Sequence, residues 1–573
     1  MLRGALLLGA VLSLLAWAQL LSGPASSEAQ PAPRARARST IQFGKPQPAH
    51  AQPGAHQSAL AYPALPLAAT GHSALAQPAA KHSPTKIVVK YAYATARGTR
   101  AAIARAAGAH PQSTTLASHT RLLRLKRGTS VQAALDSVRG RRNVVWAVPD
   151  YTAQATDDGS ASASASASAS ASASASASAT AVAADTTTPT LTTPGGTTPN
   201  DGTPASSAPV PTTPTPSPAL PAPLVPNDPA TSAAAGGWER LQWNFAGAFG
   251  VNAPQAWANV AADGAPGGAG VVVAVLDTGV AYADHGRFRR SPDFSQFQFV
   301  KGDDFVAGNA KPDDHNGHGT HVAGTIAEAT NNGYGLTGLA YGVRVMPVRV
   351  LNSAGEGDAS VIAQGVRFAV KHGARVVNLS LEFSSDVTAS DIPELLDALR
   401  YAHNRGVVVV AAAGNEGHST IAYPARAHAV VAVGASTEHG CLANFSNDGR
   451  GLTLVAPGGG ADADLPGDPN CHTDQPSGRD IYQVTYVGSS PRRFGIPPGY
   501  EGTSMASPHV SATAALVIAS GVLGARPTAD QVVARLKATA RKLGYAGDQR
   551  MYGAGLIDAA AATAPGGPGA VVR

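Results

Sequence analysis

The chain has 573 residues, of which 14% are charged and 5% aromatic, with 62 Gly and 43 Pro. The length excludes a single ordinary domain, and the composition indicates a globular core diluted by low-complexity sequence. The net charge of +6 hides an asymmetry: residues 1–158 hold 18 Lys and Arg against 5 Asp and Glu, and the remainder holds 25 against 32. The basic balance therefore excludes no part from being acidic, gives no support for nucleic-acid binding, and predicts that the two parts attract each other.

Taken in order, residues 1–29 read as a secretory signal peptide, with Arg3, the apolar stretch Ala5 to Leu21 and a small-x-small site at Ser27-Glu28-Ala29. An uncleaved anchor is the alternative, and no other stretch is long and apolar enough to span a bilayer. The expected protein is secreted and free of the membrane after signal cleavage. Export makes Cys441 and Cys471, the only two cysteines, expected partners in a disulfide, with two unpaired buried thiols as the alternative.

Residues 30–82, rich in Ala and Pro, read as disordered. Residues 83–155 read as a small α+β, ferredoxin-like unit. Strands are predicted at Lys86–Tyr91, Thr120–Leu125 and Asn143–Val148, the last ended by Pro149-Asp150, and helices at Thr99–Ala107 and from Ser130 through Val138. The order β-α-β-β-α-β requires one more strand before Thr120, which the sequence shows weakly. Residues 156–225 are a Ser-Ala and Thr-Pro linker that buries nothing. As a flexible coil of ~70 residues it spans on the order of 45 Å.

Residues 226–565 alternate strands and helices. Strands are predicted at Val271–Leu276, Val343–Val350, Ala374–Leu379, Val407–Ala412 and Ala429–Val433, and helices at Gly319–Thr330, Ser360–Lys371, Ile392–Arg405 and Thr503–Ala519. This alternation predicts an α/β fold, a doubly wound parallel sheet with helices on both faces, whose site lies at the carboxyl ends of the strands. Asp277 follows the first of these strands, and Asn415 follows Val407–Ala412. His318 opens a helix in Asn316-Gly-His-Gly-Thr-His-Val-Ala-Gly324, and Ser504 opens another in Gly502-Thr-Ser-Met-Ala-Ser-Pro508. Pro508 is read as a first-turn proline. Such residues suit acyl transfer: Ser504 as nucleophile, His318 as base, Asp277 orienting the imidazole, and the Asn415 amide with the Ser504 N–H as oxyanion hole. His321 reads as structural.

The four motifs, in the order Asp, His, Asn, Ser, resemble the subtilisin family of serine peptidases over residues 226–562. Residues 85–151, ending in Val148-Pro-Asp-Tyr151, resemble that family's inhibitory propeptide, which implies a chaperone and inhibitor cut off by the enzyme itself. The resemblance also implies protein or peptide substrates, a monomer, no cofactor for catalysis, and a groove edged by Gly355-Glu356-Gly357 on one side and Ser380-Leu381 on the other, with Gly414 beside it. After Leu381 the family commonly has two glycines, where this chain has Glu382-Phe383. Glu382 and Glu416 would favour a basic substrate side chain, but the expectation is that both carboxylates point to solvent. Asn331 to Leu336 resembles a calcium loop, with Asn332 as a ligand and Asp284 or Asp293 as the matching carboxylate. The alternatives are a non-catalytic binding protein on the same scaffold and a surface stalk built on the low-complexity tract.

Overall fold

The computed structural model describes residues 80–110, 114–156, 221–231, 236–544 and 549–571. The expected signal peptide, the Ala/Pro-rich segment up to residue 79 and most of the linker lie outside them. The N-terminal unit comprises β1 (His82–Tyr91), α1 (Arg97–Ala106), β2 (Thr114–Ala117), β3 (Thr120–Arg124), α2 (Val131–Val138) and β4 (Val144–Ala155). Its strands run in the antiparallel order β2-β3-β1-β4. The weakly signalled strand is β2, four residues long, too short for alternation to show. It turns into β3 through His119 at φ 63°. Strand alternation sends Ile87 and Val89 towards Ile103 and Leu135 of the helices, while Val88 faces Leu122 and Val148 on the other side. Ser130 caps α2 by accepting the N–H of Ala133 at 3.2 Å.

The predicted end of β4 at Pro149-Asp150 is corrected: the strand runs on to Ala155. Proline lacks an N–H but leaves its carbonyl, so it weakens a ladder without ending it where other pairing takes over. Beyond Asp150, β4 finds that pairing in the large domain, as described below.

The large domain contains α3 (Ala253–Ala262), β5 (Val272–Asp277), β6 (Asp303–Asp304), α4 (His318–Ala327), β7 (Arg344–Arg349), β8 (Glu356–Asp358), α5 (Ala359–Lys371), β9 (Val376–Leu379), β10 (Leu381–Glu382), α6 (Pro393–His403), β11 (Val408–Ala412), β12 (Val430–Ser436), β13 (Leu454–Pro457), α7 (Thr503–Ser520) and α8 (Ala529–Thr539). Seven strands form a parallel sheet in the order β13-β12-β11-β9-β5-β7-β6. Alternate residues feed two cores. Val273, Val275, Val408 and Val410 join α3, α4 and α7 on one face, and Ala274, Leu276, Val409 and Ala411 join α5 and α6 on the other. Burial on both faces explains why these strands read as unbroken apolar runs. The edge strands β6 and β13 and the helices α3 and α8 carry weaker patterns and lie outside the predicted elements.

Cys441 and Cys471 form a disulfide spanning 30 residues of sequence. Closing a loop of that size contributes about 3.6 kcal/mol through the unfolded chain. It ties the segment after β12 to the loops beyond β13.

Candidate active site

Asp277 ends β5 at the carboxyl edge of the sheet and is fully buried. Its Oδ1 accepts the N–H of Thr278 at 2.7 Å and lies 2.7 Å from His318 Nδ1. Burial raises the Asp277 carboxyl above its usual range, and the neighbouring imidazole opposes that rise. His318 is the first residue of α4, placed by Gly317 at φ 116°. Asp314, which the sequence reading passed over, fixes this loop. Its Oδ1 accepts from Thr278 Oγ1, Asn316 N and Gly317 N, and its Oδ2 from Thr320 N and Oγ1. Only its position in Asp314-His-Asn-Gly-His318 hinted at this.

Ser504 is the second residue of α7, which is buried on nearly every side. Pro508 is in the second turn, which corrects the first-turn reading. Its missing N–H leaves the Ser504 carbonyl without the usual helical donor. Ser380 Oγ donates to that carbonyl instead, at 2.8 Å. Ser504 Oγ in turn donates to the Ser380 carbonyl at 3.1 Å. Pro508 therefore joins the helix to the edge segment at Ser380.

Thr156, expected as the first residue of a linker that buries nothing, is instead buried directly after β4 and reaches this serine. The carbonyl of Thr156 accepts from Asn415 Nδ2 at 2.9 Å and from the Ser504 N–H at 3.4 Å. The Thr156 N–H donates to Ser504 Oγ at 3.0 Å, and the two hydroxyls touch. Asn415 Oδ1 accepts from Thr503 N and Oγ1, which turns the amide nitrogen towards Thr156. A Cβ on Gly502, whose φ is 147°, would fall 2.4 Å from the Thr156 carbonyl oxygen. Only glycine leaves room for that approach.

The residues leading to Thr156 lie between two edges of the large domain. Thr152, Ala153 and Gln154 pair with Asp358, Gly357 and Glu356 of β8, and Ala155 donates to the Gly355 carbonyl at 2.8 Å. On the other side Ala155 and Gln154 pair with Leu381 and Glu382 of β10. Both contacts are antiparallel, so β4 ends as the middle strand of three, a β-augmentation arrangement. Upstream, Asp150 is fully buried and accepts from Ser360 N at 3.0 Å and Ser360 Oγ at 2.7 Å. Asp358, the N-cap residue of α5, makes no side-chain cap of its own. The N-terminal unit thus supplies the cap. Lys86 pairs with Asp358, and Lys90 with Asp397 at 3.2 Å, as the charge asymmetry predicts.

His321 stacks on Tyr500 with ring centroids 4.0 Å apart, and its Nε2 lies 2.9 Å from the Ile481 carbonyl. Burial pushes it down to about 3, so it stays neutral. Asn332 donates to Asp293 Oδ1 at 2.9 Å, whereas Asp284 binds the Arg290 N–H instead. The expectation that Glu382 points to solvent is overturned. It is 2% exposed, because its carboxyl turns inward against the Asn415 N–H at 3.3 Å. Glu416 is half-buried, accepting from Ser385 N and Asn447 Nδ2.

Residues 268–555 match the subtilase family, and residues 68–150 match the fervidolysin N-terminal prodomain. Subtilisin Savinase of Lederbergia lenta is 40% identical over 298 residues, covering 52% of this chain and 91% of that protein. Subtilisin DY of Bacillus licheniformis is 39% identical over 301 residues, with 52% and 91% covered. A solved structure of proteases from Pseudoalteromonas arctica PAMC 21717 is 31% identical, covers 59% of this chain and 98% of its own, and aligns at TM-score 0.47. Among the described residues no helix is long and apolar enough to cross a membrane. The family match over half of the chain and the 40% identity to Subtilisin Savinase across nine-tenths of that protein show that the chain belongs to the subtilase family of serine peptidases.

Proposed function

We propose that the chain is a secreted serine endopeptidase, made as a precursor that cuts itself between Thr156 and Asp157. The observation that carries this is the Thr156 carbonyl, which accepts from Asn415 Nδ2 and the Ser504 N–H while Ser504 Oγ lies against the same residue. Those are the positions of a scissile carbonyl and its nucleophile. Ser504 attacks the carbonyl carbon and His318 takes its proton. Asp277 holds the imidazole in the tautomer with Nδ1 protonated and stabilises the imidazolium. Negative charge then develops on the carbonyl oxygen, at the N-terminus of α7, where free N–H groups and the helix dipole favour it. His318 passes its proton to the leaving amine, and water repeats the sequence on the acyl-enzyme.

The pairing with β8 and β10 supports a reading in which extended substrates add a strand between these edges, as the chain's own tail does. The N-terminal unit then remains as an inhibitor in the cleft. The test is modification of the processed protein with an organophosphonate. Stoichiometric labelling of Ser504 with parallel loss of hydrolysis of an unfolded protein is expected. Hydrolysis that continues after Ser504 is blocked would overturn the reading. Replacing Asn415 with leucine should lower turnover by about 10²–10³, the size found for the corresponding donor in a subtilisin, with far less change in KM. A steady-state assay on a peptide substrate checks this.

Structural calcium belongs to the same proposal. Asp293 would hold it through a carboxylate that suits a hard cation, and Asn332, whose Nδ2 faces Asp293 while its Oδ1 accepts the Tyr334 N–H at 2.8 Å, would have to turn its amide over to join it. Glu328 Oε2, buried nearby without a hydrogen-bond partner among the described residues, marks the want of positive charge. The ion would brace the loop after α4 and take no part in the chemistry.

A further inference from the structure

The two segments flanking Thr156, Ser380–Glu382 and Ala413–Asn415, are bridged by one side chain. Glu382 reaches across from β10, and its Oε1 accepts the N–H of Asn415 at 3.3 Å. A Cβ on Gly414 would lie 2.4 Å from Glu382 Oε2, so the carboxyl rests on the bare backbone there. Asn415 therefore holds the reacting carbonyl with its side chain and the Glu382 carboxyl with its backbone. The second oxygen, Oε2, is buried and has no hydrogen-bond partner among the described residues.

We propose that Glu382 selects substrates carrying Lys or Arg at the residue whose carbonyl is attacked. The proposal rests on the peptidase reading above and adds the substrate class. An acid with a buried, unpartnered oxygen, held between the two segments that flank Thr156, is a charge-recognition element lacking its counter-charge. Glu416 cannot supply it, being itself an acid already engaged by Ser385 and Asn447. His418 lies 3.7 Å from Glu416 and serves that carboxylate. Burial and the Glu416 charge push the Glu382 carboxyl up to about 8, as expected where no cation is present. An ammonium or guanidinium entering the slot reverses this balance, and the guanidinium brings donors for both oxygens. The chain's own residue there, Thr156, turns its hydroxyl to Ser504 and leaves Oε2 unpartnered. A tethered single cut at high effective concentration does not need the selectivity that free substrates do.

The test uses the processed full chain and peptides identical except for Arg, Lys, Gln or Leu before the cut, at about pH 9, where the carboxyl is ionised. Wild-type kcat/KM for Arg and Lys should exceed that for Gln and Leu by at least about tenfold. In Glu382→Gln and Glu382→Gly that ratio should fall to near unity. A wild-type enzyme that cuts all four alike, or a variant that keeps the preference, would overturn the proposal. The wild-type comparison stands even if a variant fails to fold. Failure to cut any of the four peptides or an unfolded protein would instead sink the peptidase reading itself.

Discussion

The Ser504→Ala protein is expected to keep its N-terminal unit covalently attached, while the wild type loses everything up to Thr156. In the folded chain the Thr156 carbonyl is already held by Asn415 Nδ2 and the Ser504 N–H, so the carbonyl is in place before chemistry begins. Removing the hydroxyl leaves the binding contacts of β4 with β8 and β10 and takes away the only step that breaks the bond. The expected loss in turnover is about 10⁶, the figure for the equivalent change in a subtilisin. Intact mass of the two proteins, with N-terminal sequencing of the larger product, reads the result. Wild type should yield a chain beginning at Asp157, which leaves the Ser-Ala and Thr-Pro tract on the peptidase. Equal cutting of both proteins would mean another peptidase does the processing. A wild-type cut elsewhere in the linker would mean that the register seen at Thr156 is not the reacting one.

The sequence made the parallel sheet legible because its central strands are buried on both faces and read as unbroken apolar runs. It marked Asp277, His318, Asn415 and Ser504 as site candidates because each stands in a short Gly-rich motif at a strand end or helix start. What it hid depends on contacts between distant segments. Glu382 reads as an exposed acid after Ser380-Leu381, and only the approach of the Gly414–Asn415 backbone buries it. Asp314 makes five hydrogen bonds that are invisible without the turn around it. Pro508 looks like a helix-start residue until the Ser380 hydroxyl is seen replacing its missing donor. The extension of β4 past Pro149 was hidden for the same reason. Its pairing partners, β8 and β10, lie more than 200 residues away in sequence.

Dissociation of the cut N-terminal unit is expected to become easier as pH rises from about 4 to about 7, with Asp150 as the responsible group. In the complex, burial first and the Asp358 carboxylate second lift Asp150 from 3.8 to about 7, against the hydrogen bonds from Ser360 and the charge of Lys86. Once the unit leaves, Asp150 meets water and returns to the usual carboxylate range. The complex therefore holds a proton that its separated parts release. A group whose bound value is raised contributes its full share of affinity below the free value and loses it as pH climbs through the bound one. The slope is at most tenfold per pH unit, which over this window amounts to about 10³ in the dissociation constant. Glu394, in the first turn of α6, is raised first by burial and then by the Asp150 charge, and the second of these departs with the unit, which adds to the effect in the same direction. The measurement is the dissociation constant of the nicked Ser504→Ala protein, opened within the linker by an added peptidase, at steps between these pH values. Asp150→Asn keeps an oxygen for the Ser360 donors and removes the titrating proton, so its profile should flatten while its affinity near neutral pH rises. An unchanged slope in the Asn variant would assign the proton to another group, and tighter binding at higher pH would refute the sign.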